Sequence, residues 1–310
     1  MNKSRNIAVV GEIYIDHIFT DFDHVPLPGE EVFADQYRRE AGGGTVNTAC
    51  ALARLGHRCS VFGVFGKDEE AWLRSRLGSF GVHSEHVASS DLPNAITVSM
   101  STTTDRSFLS YAGANQSLAS YVGLPGTIAA LSQAEHVHFA MPLETELAEK
   151  ILPVLRFAGC TVSIDPGWRT DWLLSPASPD TLRMVDFFLP NENEAQLLTG
   201  RNEPEDVLHA FGALGLGCTV IKLGPRGAMT LQKNRIFTAT PPDVQVIDTT
   251  GAGDAFDAGF IDAWLAGIDI EEQLRRACIC GSLSTRARGA LSALPSREEM
   301  LEFSLREPIF

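Results

Sequence analysis

Short apolar, β-branched runs alternate with helical patterns along most of this chain, and few architectures accommodate that order. Runs at 7–10, 60–64, 136–140, 161–165, 186–189 and 219–223 read as strands. Between them, helical patterns occupy 46–55, 69–80, 144–157, 192–198, 204–214 and 252–264, with further helices at 271–283 and 296–303. Strands and helices taking turns predict the α/β class, a mostly parallel central sheet with helices on both faces. Two stretches break the rhythm. Residues 13–39 and 95–111 carry period-two alternation, as in Thr97-Val98-Ser99-Met100-Ser101, and predict β-ribbons outside the main sheet. No internal repeat or low-complexity segment interrupts the chain, so 1–310 is expected to form one unit that carries those ribbons.

Composition removes several classes of function. Of 310 residues, 44% are hydrophobic and 21% charged, ample for a large core. The net charge is −14 and no stretch is rich in lysine and arginine, which argues against a nucleic-acid groove. The same charge repels phosphorylated ligands at long range, so any phosphate site has to be built locally. No run approaches the ~20 apolar residues of a membrane span. Glu12 and Asp16 interrupt the first apolar run, which is too short and polar for a signal peptide. Six cysteines lie mostly in apolar segments without metal-ligand spacing and read as reduced core thiols, which fits the cytoplasm.

The chemistry concentrates at 248–257, Asp-Thr-Thr-Gly-Ala-Gly-Asp-Ala-Phe-Asp, leading into a small-residue helical run. Gly251, Ala252 and Gly253 allow backbone N–H groups to approach an anion closely, and a helix N-terminus adds positive potential at the same point. A carboxylate beside that cradle, Asp254, suits phosphoryl transfer, in which positioning and charge stabilisation do most of the catalysis. A glycine turn entering a buried helix is the plainer reading of Gly-Ala-Gly-Asp alone. A second element, Gly42-Gly43-Gly44-Thr45-Val46-Asn47, opens the helix that continues through Gly56. Its bare backbone admits a polyol, and the Asn47 amide both donates and accepts hydrogen bonds.

These two elements, in this order, resemble the N- and C-terminal signatures of the ribokinase, or phosphofructokinase B, family of carbohydrate kinases. The resemblance implies a ribokinase-like three-layer α/β sandwich with a small β-ribbon lid over the sugar, often used for dimer contact. It also implies ATP and Mg²⁺ as cofactors, with K⁺ as a further one, and a small sugar as partner. Asp254 would take the proton from the attacking hydroxyl, and Gly251, Ala252 and Gly253 would stabilise the transferring group. Gly43, Gly44, Asn47 and Asp16 would line the sugar site, although ribokinase itself carries lysine where Gly44 stands.

Further positions carry expectations of their own. Asn191 and Glu194, three apart at a helix start, match the family's Asn-x-x-Glu and would serve phosphate and magnesium; cap residues are favoured there in any helix. The loop Lys222-Leu223-Gly224-Pro225-Arg226-Gly227 would run along the nucleotide phosphates through Lys222, Gly224 and Gly227, though it also reads as a plain turn. Asp165-Pro166-Gly167-Trp168-Arg169 ends a core strand, where ligands gather in open α/β sheets. Related kinases of fructose and ketodeoxygluconate have Asp-Pro-Asn-x-Arg here, so Asp165 and Arg169 would meet substrate and Gly167 is a departure. Glu144 matches a family substrate carboxylate. Asp248 and Thr250, with the 286–289 loop, resemble a monovalent-cation site, and Cys278 falls where relatives pack against adenine.

A nucleoside kinase of the same family is the nearest alternative, followed by a sugar-sensing binding protein on the same fold. A Rossmann dehydrogenase lacks its Gly-x-Gly-x-x-Gly, since Gly11-Glu12-Ile13 follows the first strand. The Walker signature is also missing, because Gly63-Val64-Phe65-Gly66-Lys67-Asp68 has the wrong spacing and ending.

Overall fold

A computed structural model describes residues 3–102 and 106–306. The larger of its two sheets has nine strands: β1 (Asn6–Gly11), β4 (Arg58–Gly66), β5 (Val87–Ser90), β8 (His136–Ala140), β9 (Thr161–Ile164), β10 (Phe187–Phe188), β11 (Cys218–Lys222), β12 (Ala228–Gln232) and β13 (Arg235–Ala239). Their order is β13-β12-β11-β10-β9-β8-β1-β4-β5, with every pairing parallel except β11–β12 and β12–β13, since β12 alone runs against the others. Helices cover both faces, and the strand sequences require it. Ile7 and Val9 enter one apolar cluster while Ala8 and Val10 enter the other, and Phe187 and Phe188 divide in the same way. With period-two geometry, a strand apolar at every position needs cover on both sides.

β1 pairs with β4 on one side and β8 on the other, both parallel. The chain leaves β1 in both directions across the sheet, so a crevice opens at the carboxyl ends of β1 and β8. The smaller sheet rises beside that crevice. It contains β2 (Tyr14–Thr20), β3 (Gln36–Gly42), β6 (Ile96–Ser101) and β7 (Arg106–Tyr111) in the order β3-β2-β6-β7. Two antiparallel ribbons are joined by a parallel β2–β6 ladder. These are the ribbons expected at 13–39 and 95–111, of which 103–105 lie outside the described residues.

Each of the six expected core strands is present, but the one expected at 186–189 keeps only Phe187–Phe188 as a ladder. Pro190 follows at once and has no N–H to extend the pairing. β5, β12 and β13 add the sheet edges, where half-exposed residues give a weaker alternation. No helix among the described residues is long and apolar enough to cross a membrane.

Candidate active site

The helix Ala252–Leu265 begins at the crevice, and its entry depends on Gly251. Gly251 sits at φ 76°, and a Cβ there would lie 2.5 Å from the Ala290 Cβ, so only glycine fits. Asp254 occupies the first helical turn and keeps one face on a cavity of about 320 Å³. Gly44, Ala140, Asp165 and Arg169 also line that cavity, together with Glu12, Tyr14 and Trp168. Gly44 leaves the approach open, since a Cβ there would stand 3.3 Å from Asp254 Oδ1 and from the Ala140 Cβ.

Asn47, on the helix Gly44–Arg54, orients the carboxylate. Its Nδ2 donates to Asp254 Oδ2 at 2.8 Å. Its Oδ1 is buried without a hydrogen-bond partner, an acceptor in need of a donor. Burial pushes the Asp254 carboxyl up to about 6, the neighbouring Asp165 charge adds to this, and the Asn47 hydrogen bond opposes it.

Below Asp254 lies a charged cluster. Lys222, at the end of β11, donates through Nζ to Asp165 Oδ2 at 2.7 Å and to Asp257 Oδ1 at 3.0 Å. Carboxylate oxygens of Asp165, Asp254 and Asp257 all lie within 4.8 Å of one another. Burial alone would raise Asp165, but the Lys222 ammonium together with hydrogen bonds from Asp257 and the Gly167 N–H outweighs it and holds this carboxyl at about 2. Asp257, fully enclosed, is raised well above the usual carboxylate range by burial and by Asp165. The two carboxyls on one ammonium therefore hold opposite states. Asp165 keeps the negative charge because it has the shorter ion pair and also accepts the Gly167 N–H at 2.9 Å.

Asp16 lies within β2 of the lid. It lines a second cavity, of about 410 Å³, beneath the lid with Asp248, Thr250, Arg288 and Gly289. Gly42 makes room for it, since a Cβ at 42 would overlap Asp16 Oδ2 at 2.0 Å. Burial raises the Asp16 carboxyl to about 7, helped by the charges of Glu40 and Asp254. Glu40 itself is held by two bonds from Arg76, each 2.6 Å. Gly43, at φ 91°, lets the backbone pass the Glu12 carbonyl, which a Cβ would approach to 2.6 Å.

Asp248 ties the loops around the helix entry together. It accepts from the Thr250 N–H at 2.9 Å and hydroxyl at 2.7 Å, and from the Gly289 N–H at 2.8 Å. Asn191 and Glu194 form a reciprocal cap on the helix Glu192–Thr199, with bonds of 2.8 and 3.0 Å. Burial and the Asp165 charge raise the Glu194 carboxyl to about 7.

Other expected residues stand elsewhere. Lys222 is engaged by internal carboxylates instead of being turned outward to a nucleotide. Gly227 is fixed by the backbone, because a Cβ there would meet the Ala239 carbonyl oxygen at 1.9 Å, whereas Gly224 at φ 58° faces open space. Cys278 packs in the core with Sγ 3.6 Å from the Ala239 carbonyl, and burial pushes its thiol to about 12. Glu144 is exposed just before the helix Thr145–Phe157 and lines neither cavity. Sequence reasoning missed Asp257, Glu12 and Tyr14. Asp257 left one signal, a carboxylate three positions after Asp254 in a run of otherwise small and apolar residues.

Comparison with known proteins agrees with this geometry. Residues 4–297 match the family model described as pfkB family carbohydrate kinase. The chain is 28% identical to the ribokinase of Haemophilus influenzae, over 96% of this chain and 98% of that one. It is 30% identical to the ATP-dependent ribose-1-phosphate kinase of Halopiger xanaduensis, covering 91% and 92% of the two chains. The solved structure of Arabidopsis thaliana ribokinase complexed with ribose and ATP superposes with a TM-score of 0.83 at 26% identity, over 97% of this chain and 98% of that one. A ribokinase-like sandwich, a lid beside the crevice and a matched family model over almost the whole length lead to one conclusion: this chain belongs to the pfkB family of carbohydrate kinases.

Proposed function

We propose that the protein transfers the γ-phosphoryl group of ATP to a hydroxyl, most simply a primary one, of a small sugar. The observation that carries this reading is the Asn47–Asp254 pair, in which one amide holds a carboxylate at the crevice and keeps its own carbonyl unpartnered. The acceptor hydroxyl would lie against Asp254, which takes its proton as the new O–P bond forms and ADP departs. N–H groups of Gly251 and Gly253 would face the transferring group, with the helix N-terminus adding positive potential, whereas the expected Ala252 N–H already donates to the Thr249 carbonyl at 3.2 Å. Asp16 accepts from sugar hydroxyls on the lid side, Asn47 Oδ1 accepts another, and Arg169 donates from the opposite wall. Gly224 and Gly227 shape the hairpin along which the nucleotide runs.

Glu194 fits magnesium, since burial and the Asp165 charge raise its carboxyl and a bound cation would offset both. Bound through water there, Mg²⁺ would neutralise phosphate oxygens. Potassium fits beside Asp248 and Thr250, where it would order the loop entering the catalytic helix. The whole chain is read as one catalytic unit with its lid. That lid carries exposed Tyr37, Phe108, Leu109 and Tyr111, which suit a homodimer through this face; a monomeric mass by light scattering at high concentration would remove the dimer. A cytoplasmic location is our reading, in keeping with the six unpaired cysteines.

A nucleoside kinase is the second reading. Trp168, 60% exposed on the cavity wall, offers a face on which a base could stack. Release of ADP from Mg-ATP, followed across sugars, sugar acids and nucleosides with and without potassium, separates the two. Silence across the whole panel while ATP still binds would overturn the kinase reading in favour of a sensor.

A further inference from the structure

We propose that Lys222 is a positioning residue for the transfer, the counter-charge that keeps Asp254 a carboxylate in a pocket shared by three acidic side chains. The inference rests on the role of Asp254 proposed above. Its starting point is crowding. Asp165, Asp254 and Asp257 bring oxygens within 4.8 Å of one another, and like charges so close cannot all persist without a cation. Lys222 supplies that cation from inside the protein. Its ammonium bonds Asp165 and Asp257, and it lies 3.5 Å from the point where a Gly253 Cβ would be, directly against the anion loop.

Bonding divides the labour among the three acids. Asp165 and Asp257 are both held by Lys222, whereas Asp254 is held by the neutral Asn47 amide and alone faces both the cavity and the anion loop. The ammonium therefore supports the charge on Asp254 at a distance without competing for the lone pairs that receive the proton. Other charged groups around Asp254 do not substitute for it. Arg169, the cation on the wall of the same cavity, is paired to Glu12 at 3.3 Å and to Asp171 at 3.7 Å. Asp16 on the lid and Glu194 on the helix Glu192–Thr199 are acidic, and Glu40 behind Asp16 is already paired to Arg76. His138 on β8, near Asp165 and Lys222, is fully enclosed and held neutral by burial, with its pKa lowered to about 4.

The test is the pH profile of kcat/KM in Lys222→Met, in Asp257→Asn, and in the double variant Lys222→Met/Asp257→Asn. The double variant removes one buried carboxyl along with its cation, so it carries the measurement if the single lysine variant does not fold. Loss of the ammonium is expected to move the acid limb upward by about one pH unit or more. Activity should be depressed at pH 7 and recover toward pH 9, with the sugar KM little changed at the higher pH. Asp257→Asn alone should leave the limb in place. A residue that serves only folding gives no recovery with pH. A limb unmoved in a folded Lys222 variant overturns the proposal. If Asp254→Asn also keeps near-normal turnover, the assignment of the base fails instead, and the two failures are distinguishable.

Discussion

The side-chain amide of Asn47 and the carboxylate of Asp254 meet at 2.8 Å although 207 positions separate them in sequence. Each begins a helix at the same crevice, one helix following the glycine loop of β3 and the other following the Gly251 turn. The consequence is a carboxylate, our proposed base, whose orientation is set by the first motif and whose electrostatics are set by the second.

Replacing that base tests the pair directly. Asp254→Asn should keep the fold and sugar binding while kcat falls by on the order of 10²–10⁴. Steady-state kinetics with calorimetric sugar titration provide the check, and near-normal turnover would remove Asp254 from the mechanism.

The wild-type enzyme should lose kcat/KM toward acid. Asp254 must be ionised to accept a proton, and burial holds its carboxyl at about 6, above the ordinary 3.8. Below that value activity should fall about tenfold per pH unit, the slope of a single protonation. A flat profile down to pH 5 would contradict this.

Stability should move in the opposite sense. The folded Asp16 carboxyl sits at about 7, raised from 3.8. A carboxyl raised in the fold contributes stability in full below its unfolded value and loses it as pH rises through the folded one. Melting temperature should therefore decline between about pH 4 and pH 7, and Asp16→Asn should flatten that decline. An unchanged slope in the variant would show that Asp16 is ionised throughout.

Gly251→Ala should be costly out of proportion to its one methyl group. It forces a left-handed φ and a 2.5 Å approach to Ala290, for which about 1–3 kcal/mol of destabilisation is expected. Turnover should fall further, because the displaced turn carries the anion loop. Denaturant unfolding alongside kcat measures both effects, and an unperturbed midpoint would refute the strain.

Away from the site, Asp262 should be the most sensitive polar residue of the core. Its Oδ1 accepts from Arg297 at 2.7 Å and from His57 Nε2 at 2.9 Å. The His57 tautomer is fixed because its Nδ1 accepts the Arg5 N–H at 3.2 Å. Asp262→Ala leaves the Arg297 guanidinium without its buried counter-charge, a loss of about 3–5 kcal/mol by equilibrium unfolding. A change below ~1 kcal/mol would place the pair among exposed ion pairs of little worth.

The sequence made the α/β class and the proposed base legible for different reasons. Parallel strands buried on both faces are written as continuous apolar runs, and Asp254 stands inside a contiguous string whose glycines must approach another group closely. Asn47 was readable in the same way. The Lys222 cluster was not, because its members come from β11, from the end of β9 and from the helix Ala252–Leu265, and no local spacing relates them. Lys222 looked like a loop residue aimed at phosphate since its two internal partners are invisible without the fold. Cys278 was readable only through the resemblance, because a buried thiol against the Ala239 carbonyl carries no local pattern of its own.

The placement of β1 bears on the birth of the molecule at the ribosome. Its ladders are completed by Cys59–Phe62 on one side and by His136–Ala140 on the other. The emerging chain therefore carries an apolar strand with one open edge until roughly its first half has been synthesised. Such an edge can pair with another chain, so early β1 is a place where chaperone protection matters. Once β8 docks, the same event closes the edge and aligns the two strand ends from which the crevice opens.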